Sequence, residues 1–234
     1  MLQVLEFGPG GWGAGLAAGL AVTLGLAASA LPLGLASGLV LAFATHSRRA
    51  WLRESAAALA GAFRGIPELL ALFLVYIGGQ RLINLALPLL GLDTQVEFSG
   101  FLAGTVTLGL VFGAYSSEVF LGVLKTLDGT SIEAARALGL GRWPVLRFVI
   151  LPELFRLGLP GLSNLWLSTV KQSALVSVVA CDELMRKSYL GATSTGDHIM
   201  FYGVACLCYI AITTASEAVL AGWHRHLSRG RSRG

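Results

Sequence analysis

Charge is scarce in this chain: only 13% of its residues are Asp, Glu, Lys or Arg, against about a quarter in soluble domains. A hydrated surface cannot be built over a whole molecule from so little. Cysteine is scarcer still. Cys206 and Cys208 stand too close for a disulfide within one helix, and Cys181 stands alone. No metal-ligand spacing occurs, and His46, His198, His224 and His226 are scattered near loops and the tail. No Lys or Arg precedes Arg48, so the start lacks the basic region of a cleaved signal peptide. No glycine run leads into Lys-Ser or Lys-Thr, which excludes a P-loop. Neither a Ser/His/Asp set nor a catalytic carboxylate pair is placed to work. The chain is expected to be no enzyme and to hold no metal or cofactor of its own.

Apolar sequence is what remains. The chain is 55% hydrophobic, with mean hydropathy +0.72, and several runs approach the roughly 20 residues that cross a bilayer. The expected fold class is an all-α integral membrane protein with five transmembrane helices, at about 14–45, 55–77, 101–123, 156–180 and 199–222, in a single domain over 1–234. Gly15/Gly19, Gly34/Gly38 and Gly109/Gly113 are small-xxx-small pairs that let helices approach closely, and Pro32 is expected to kink the first span. The second span is interrupted at Arg64-Gly65-Ile66-Pro67-Glu68. A break at that depth is tolerated where protein buries it or a cavity lies beside it. Residues 78–100 read as an outer loop with sparse charges at Arg81, Asp93 and Glu97, and 182–198 as a second polar loop.

The longest polar interruption, about 125–155, reads as two short helices about a glycine break. Thr130 and Glu133 are spaced as a capping box, Ala134, Ala135 and Ala137 make a slim helix, and Gly139 suits the left-handed position that ends it. Pro144 fits the first turn of the next helix, and Pro152 marks the return to apolar sequence.

Basic residues set the orientation. Twelve fall on one side of the five spans (Arg48, Arg49, Arg53, Lys125, Arg136, Arg142, Arg147, Arg156, Arg225, Arg229, Arg231, Arg233) and three on the other (Arg81, Arg186, Lys187). The positive-inside rule then puts the N-terminus outside, the C-terminus inside and 125–155 in the cytoplasm.

Ionisable groups within spans are functional candidates by default: Arg64, Glu68, Glu118, Lys171 and Glu217. Arg64 and Glu68, four apart, can neutralise each other on one helix face. Glu118 and Lys171 can pair between the third and fourth spans, and Glu217 can snorkel or pair with the tail. As substrate groups, Glu68 beside the broken backbone and Glu118 would favour a cation. Ser163 and Asn164 offer donors and acceptors, or interhelical hydrogen bonds instead. Tyr115 offers a ring face and a hydroxyl. Lys171 and Ser173 can line the same path.

Several of these motifs carry a resemblance. Glu133-Ala134-Ala135, Gly139 and Val149-Ile150-Leu151-Pro152 resemble the EAA loop of ABC importer permeases, with Val149 where the family usually has Ile. Arg64-Gly65-x-Pro67, Gly113-Ala114-Tyr115-x-x-Glu118, Leu159-Pro160-Gly161-x-x-Asn164 and Lys171-x-Ser173-x-Leu175-x-Ser177 extend it. From about 15 to 224 the chain is similar to the polar amino acid permeases, above all the histidine/lysine/arginine/ornithine and opine branch. The resemblance implies a type I ABC importer permease core whose EAA coupling helix (Glu133, Ala134, Ala135, Gly139) docks on an ATPase. It implies two ATP-binding subunits that hold ATP and Mg, a second permease subunit, often a different one, and a periplasmic amino-acid-binding protein. The expected setting is the bacterial inner membrane. Glu68, where much of the family is apolar, points to a basic substrate. The alternative is an ion-coupled secondary transporter or channel that needs no ATPase.

Overall fold

A computed structural model describes residues 5–8, 11–89, 91, 92, 94, 97–127 and 129–228, and the side chains of these except 129, 130 and 226–228. The described residues form helices and connections without strands. Helix α1 (Gly13–Thr45) carries no charged residue over its 33 positions, and Pro32 lies inside it without ending it. It lies along α4 (Gly100–Thr126), whose Ser99 cap accepts the Leu102 N–H at 3.2 Å.

Small residues from both helices make this contact. A Cβ on Gly34 would come within 2.5 Å of the Phe112 ring, and one on Gly109 within 2.7 Å of Leu33. Gly38 meets Ser116 and Gly113 meets Ser37 in the same reciprocal way. Register rises together on the two helices, so they run parallel. The Ser116 hydroxyl donates to the Gly34 carbonyl at 3.3 Å. Below this contact Ala42, Phe120, Leu124, Leu154 and Leu162 form one buried cluster; above it Leu26, Leu72, Leu108 and Val176 form another.

The second span is displaced from its expected position at 55–77. Its residues divide between α2 (Ala50–Gly65) and α3 (Glu68–Leu89), and α3 is the stretch long and apolar enough to cross a membrane. Proline forces the division. Pro67 disfavours helical geometry in the residue before it, and Ile66 is extended at φ −84°, ψ 132°. Helix α2 carries Arg53, Glu54 and Arg64 and buries only Ala56 and Ala60. Because α3 runs on to Leu89, the outer connection is shorter than 78–100; Asp93 lies outside the described residues.

The 125–155 stretch holds α5 (Gly129–Ala137) and α6 (Arg142–Val145). Helix α5 begins before Thr130, which puts that residue inside the first turn rather than at the cap; its side chain lies outside the description. Gly139 takes φ +80°. Its N–H bonds the Arg136 carbonyl at 2.9 Å and the Leu140 N–H bonds the Ala135 carbonyl at 3.1 Å, the paired bonds of a Schellman ending. Helix α6 does not stop before the next span. A π-turn (Leu146–Ile150) joins it to α7 (Leu151–Gln172), with the Leu151 N–H on the Leu146 carbonyl. Pro152 has no N–H to give and its ring crowds the carbonyl four residues back; the wider turn accommodates it.

Helix α7 gives way to a 3₁₀ segment (Ser173–Val179) ending at Ala180, φ 58°. Helix α7 thus begins before 156, where the fourth span was expected to start, and loses α geometry after Gln172. The expected polar loop at 182–198 contains a helix, α8 (Leu184–Thr195), closed by Gly196 at φ +78°. It packs between α1 and α9 (His198–Ser228), where Leu16, Leu184, Ala192 and Phe201 are buried together and Trp12 meets Phe201 edge-on at 5.9 Å. Among the described residues α1, α3, α4 and α9 are long and apolar enough to span a bilayer. Helix α7 has the length, with 22 residues, but carries Glu153, Arg156 and Lys171.

Candidate functional site

Glu68 opens α3 directly after Pro67, so the break that ends α2 delivers a carboxylate into the bundle. The Gln172 amide of α7 donates to Glu68 Oε1 at 2.9 Å. These two residues edge a cavity of about 220 Å³ walled by Tyr115, Phe112 and Val111 of α4 and by Leu165, Ser168 and Thr169 of α7. Thr169 spends its hydroxyl on the Leu165 carbonyl at 2.9 Å. The chamber therefore offers one carboxylate, one amide, the hydroxyls of Tyr115, Ser168 and Thr169, and an aromatic ring. Such a lining suits a small polar ligand with a cationic group.

Of the seven substrate candidates read from sequence, Glu68 and Tyr115 meet at this chamber. Glu118, one turn beyond Tyr115, is ion-paired with Arg64. That pairing replaces both expected ones: Arg64 does not neutralise Glu68, and Lys171 forms no ion pair among the described residues. The reason is the Ile66–Pro67 break, which removes Arg64 and Glu68 from a common helix face. Ser163 donates to the Leu159 carbonyl at 2.7 Å and faces a different groove. Asn164 and Lys171 are exposed on one side of α7. Ser173 is buried and donates to the Val170 carbonyl at 2.7 Å. Glu217 is exposed on α9.

Helix α7 reaches the chamber through Leu165, Ser168, Thr169 and Gln172, a one-face series at i, i+3, i+4 and i+7. Asn164 and Lys171, the candidates the sequence offered on this helix, lie on another face. The helical period was the signal that would have separated them.

A second polar cluster went unread. Glu183 is fully buried at the N-cap of α8. Its carboxylate accepts the Arg186 N–H at 2.7 Å, the Met185 N–H at 2.9 Å, the Tyr209 hydroxyl at 3.2 Å and the Thr23 hydroxyl at 3.3 Å. One side chain thus ties α1, α8 and α9. Burial pushes its carboxyl above the ordinary range, against the downward pull of the backbone donors. Beside it the Cys181 thiol is pushed up to about 11 by burial and by the Glu183 and Asp182 charges, which keeps it protonated and unreactive.

On α5, Glu133 and Ala134 are exposed and Ala135 is buried. Leu138, Trp143 and Phe148 are exposed, as are Arg136, Arg142 and Arg147 in the same stretch of chain.

Comparison with known proteins gives the family of the chain. The family model described as "Binding-protein-dependent transport system inner membrane component" matches residues 30–233. An octopine transport system permease protein of Rhizobium meliloti is 38% identical over 233 residues, covering 100% of this chain and 98% of the relative. A histidine/lysine/arginine/ornithine transport system permease protein of Salmonella typhimurium is 34% identical over 212 residues, covering 91% and 92%. The crystal structure of an amino acid ABC transporter with histidines superposes with a TM-score of 0.75 at 27% identity, covering 92% of this chain and 95% of that one.

Proposed function

Because the chain belongs to the family of binding-protein-dependent transport system inner membrane components, we propose that its cargo is a basic amino acid or opine and that this subunit meets it at the Glu68 chamber. The chain is a permease subunit of an ATP-driven, binding-protein-dependent amino acid importer, and ATP is hydrolysed by a separate subunit. The family match sets aside the ion-coupled transporter.

The observation that carries the cargo assignment is Glu68: a carboxylate at a helix break, held by Gln172 at 2.9 Å and open to a chamber of about 220 Å³. A guanidinium or ammonium entering there gains a charge-assisted hydrogen bond that a neutral side chain cannot form. Tyr115 presents its ring to the same space, and Ser168 and Thr169 supply polar edges. Relatives named for octopine and for histidine, lysine, arginine and ornithine agree with this chemistry.

Alternating access supplies the mechanism. ATP binding closes two ATPases that hold ATP and Mg. The helix around Glu133, Ala134, Ala135 and Gly139 moves with them, and the chamber walls reorient. ATP drives this only through its different affinity for the two states. The basic-residue count supports a periplasmic N-terminus and a cytoplasmic C-terminus in the bacterial inner membrane. A periplasmic binding protein delivers the cargo. The exposed Asn164 and Lys171 on a spanning helix support a second, homologous permease subunit alongside.

Competitive uptake in cells carrying the intact importer tests the assignment. Glu68→Gln is expected to lower uptake of basic substrates about tenfold or more, as removal of one hydrogen bond to a charged group does, and to affect neutral ones less. Equal losses for basic and neutral substrates would overturn it.

A further inference from the structure

A second cavity, of about 760 Å³, lies further along α3 from Glu68. Three segments wall it. Tyr76, Gln80 and Arg81 come from α3, Glu97 and Ser99 from the connection into α4, and Ala180 from the close of the 3₁₀ segment. Two glycines let these segments close up. A Cβ on Gly79 would meet the Phe98 ring at 3.2 Å, and one on Gly100 would meet the Val179 carbonyl oxygen at 2.6 Å. The Gln80 side-chain carbonyl accepts the Phe98 N–H, which fastens the neighbour of Glu97 to the neighbour of Arg81. Ala180 holds φ 58° at the wall. A residue with a Cβ keeps that conformation only where its surroundings impose it, and such positions gather at ligand sites.

Charge sets this cavity apart. Arg81 and Glu97 both line it, yet neither forms an ion pair among the described residues. Opposite charges that share a cavity without meeting leave room for a ligand carrying the reverse pair. An α-amino acid carries it: the carboxylate suits a guanidinium and the ammonium suits a carboxylate. Tyr76 and Ser99 add hydroxyls.

The cavity also lies in line with the Glu68 chamber. Along α3 the walls run Glu68, Leu72, Tyr76 and Gln80, each about one turn further on. Along α7 and its 3₁₀ continuation they run Gln172, Val176 and Val179. Between the two cavities Leu72, Leu108 and Val176 are buried together. The space beside them shrinks to about 10 Å³, barely room for one water. The basic-residue count supports an outer position for the Arg81 end.

We infer that this outer cavity is a second cargo subsite, holding the α-carboxylate of an amino acid at Arg81 and its α-ammonium at Glu97 on the far side of an apolar plug from Glu68. The inference rests on the reading of the chain as an amino acid importer subunit and divides recognition in two. The outer subsite reads the groups that every α-amino acid shares; the Glu68 chamber reads the side chain.

Cysteine protection tests this on the complete importer in nanodiscs, without binding protein or nucleotide. Ile77 lines the cavity and is exposed, so Ile77→Cys places a thiol there without removing a core contact. The background carries Cys206→Ser and Cys208→Ser, and the same background with Ile77 intact gives the blank. The rate of maleimide labelling is followed with arginine, alanine or agmatine, which is arginine without its α-carboxylate, at equal concentration. Arginine and alanine are expected to slow labelling severalfold and agmatine to leave it unchanged. Arg81→Gln and Glu97→Gln should each abolish the protection, and Glu68→Gln should preserve it. Equal protection by agmatine, protection that survives both outer substitutions, or no protection by any probe would overturn the inference. Loss of protection beside a selective effect of Glu68→Gln on uptake would remove the outer subsite alone. Protection beside an unselective effect would support it and remove only the basic-cargo assignment.

Discussion

Arg64 of α2 and Glu118 of α4 form an ion pair beyond the backbone break that separates Arg64 from Glu68. The pair fastens a helix that otherwise buries only Ala56 and Ala60 to the central helix of the bundle. It also occupies Glu118, leaving Glu68 as the carboxylate that edges the chamber.

That fastening predicts a charge-swap result. Both side chains are part-exposed, at 26% and 54%, so either single neutralisation should cost about 0–1 kcal/mol of stability. Transport should fall more than the melting temperature. Arg64→Glu combined with Glu118→Arg should recover at least half of the uptake lost in the single reversals. Additive losses in the double variant would show that the two charges act separately.

The α1–α4 contact predicts a steep cost for one methyl group. Gly38→Ala places a Cβ against Ser116, and Gly113→Ala places one against Ser37. Each should destabilise by about 1–3 kcal/mol through overpacking. Gly61→Ala and Gly122→Ala, where no atom lies within 4 Å of the new Cβ, should be neutral or slightly stabilising. Thermal unfolding in detergent, followed by loss of the monodisperse chromatographic peak, reads the difference.

Gly139 sits at φ +80° in open space, so substitution there strains backbone without creating a clash. Gly139→Val should cost at least 1–2 kcal/mol locally, the left-handed penalty of a side-chain-bearing residue. The spans should still insert. The measurement is the ratio of ATP hydrolysed to substrate imported in proteoliposomes, which should rise severalfold. An unchanged ratio would remove this turn from the coupling path.

Glu183 predicts a graded series. Glu183→Ala strips the cap of α8, worth about 0.5–2 kcal/mol, and leaves the Thr23 and Tyr209 hydroxyls without their shared acceptor. Glu183→Gln keeps an acceptor and should lose less. Tyr209→Phe should lose least. Protease sensitivity of the 180–198 segment in membranes should follow the same order, and a flat series would mean the four hydrogen bonds do not tie α8 down.

Much of this architecture is legible before any coordinates. The glycine pairs at 34/38 and 109/113 do what their spacing implies, and Gly139 takes the left-handed ending that its place after a short alanine-rich helix requires. Hydropathy alone merged two helices at 55–77. It averages over α2, where alanines mimic membrane sequence, and underweights Pro67, which separates α2 from α3. Pairing among charges was illegible for a related reason. Sequence distance offered Glu68 to Arg64, but the break turned one away and left Glu118 in reach across helices. Glu183 read as a loop carboxylate because its four hydrogen-bond partners come from Thr23, Tyr209 and its own next turn. Two of them lie more than twenty residues away.

The π-turn at Leu146–Ile150 has a mechanical meaning. By absorbing Pro152 without interrupting the hydrogen-bonded spiral, it makes 142–172 a single beam, roughly 45 Å long at 1.5 Å per residue. Left-handed residues flank it at either extremity, Gly139 before and Ala180 after. A tilt imposed near Trp143 would be carried along this continuous helix toward Gln172, the amide that grips Glu68, with the π-turn and Pro160 as the points where it can bend.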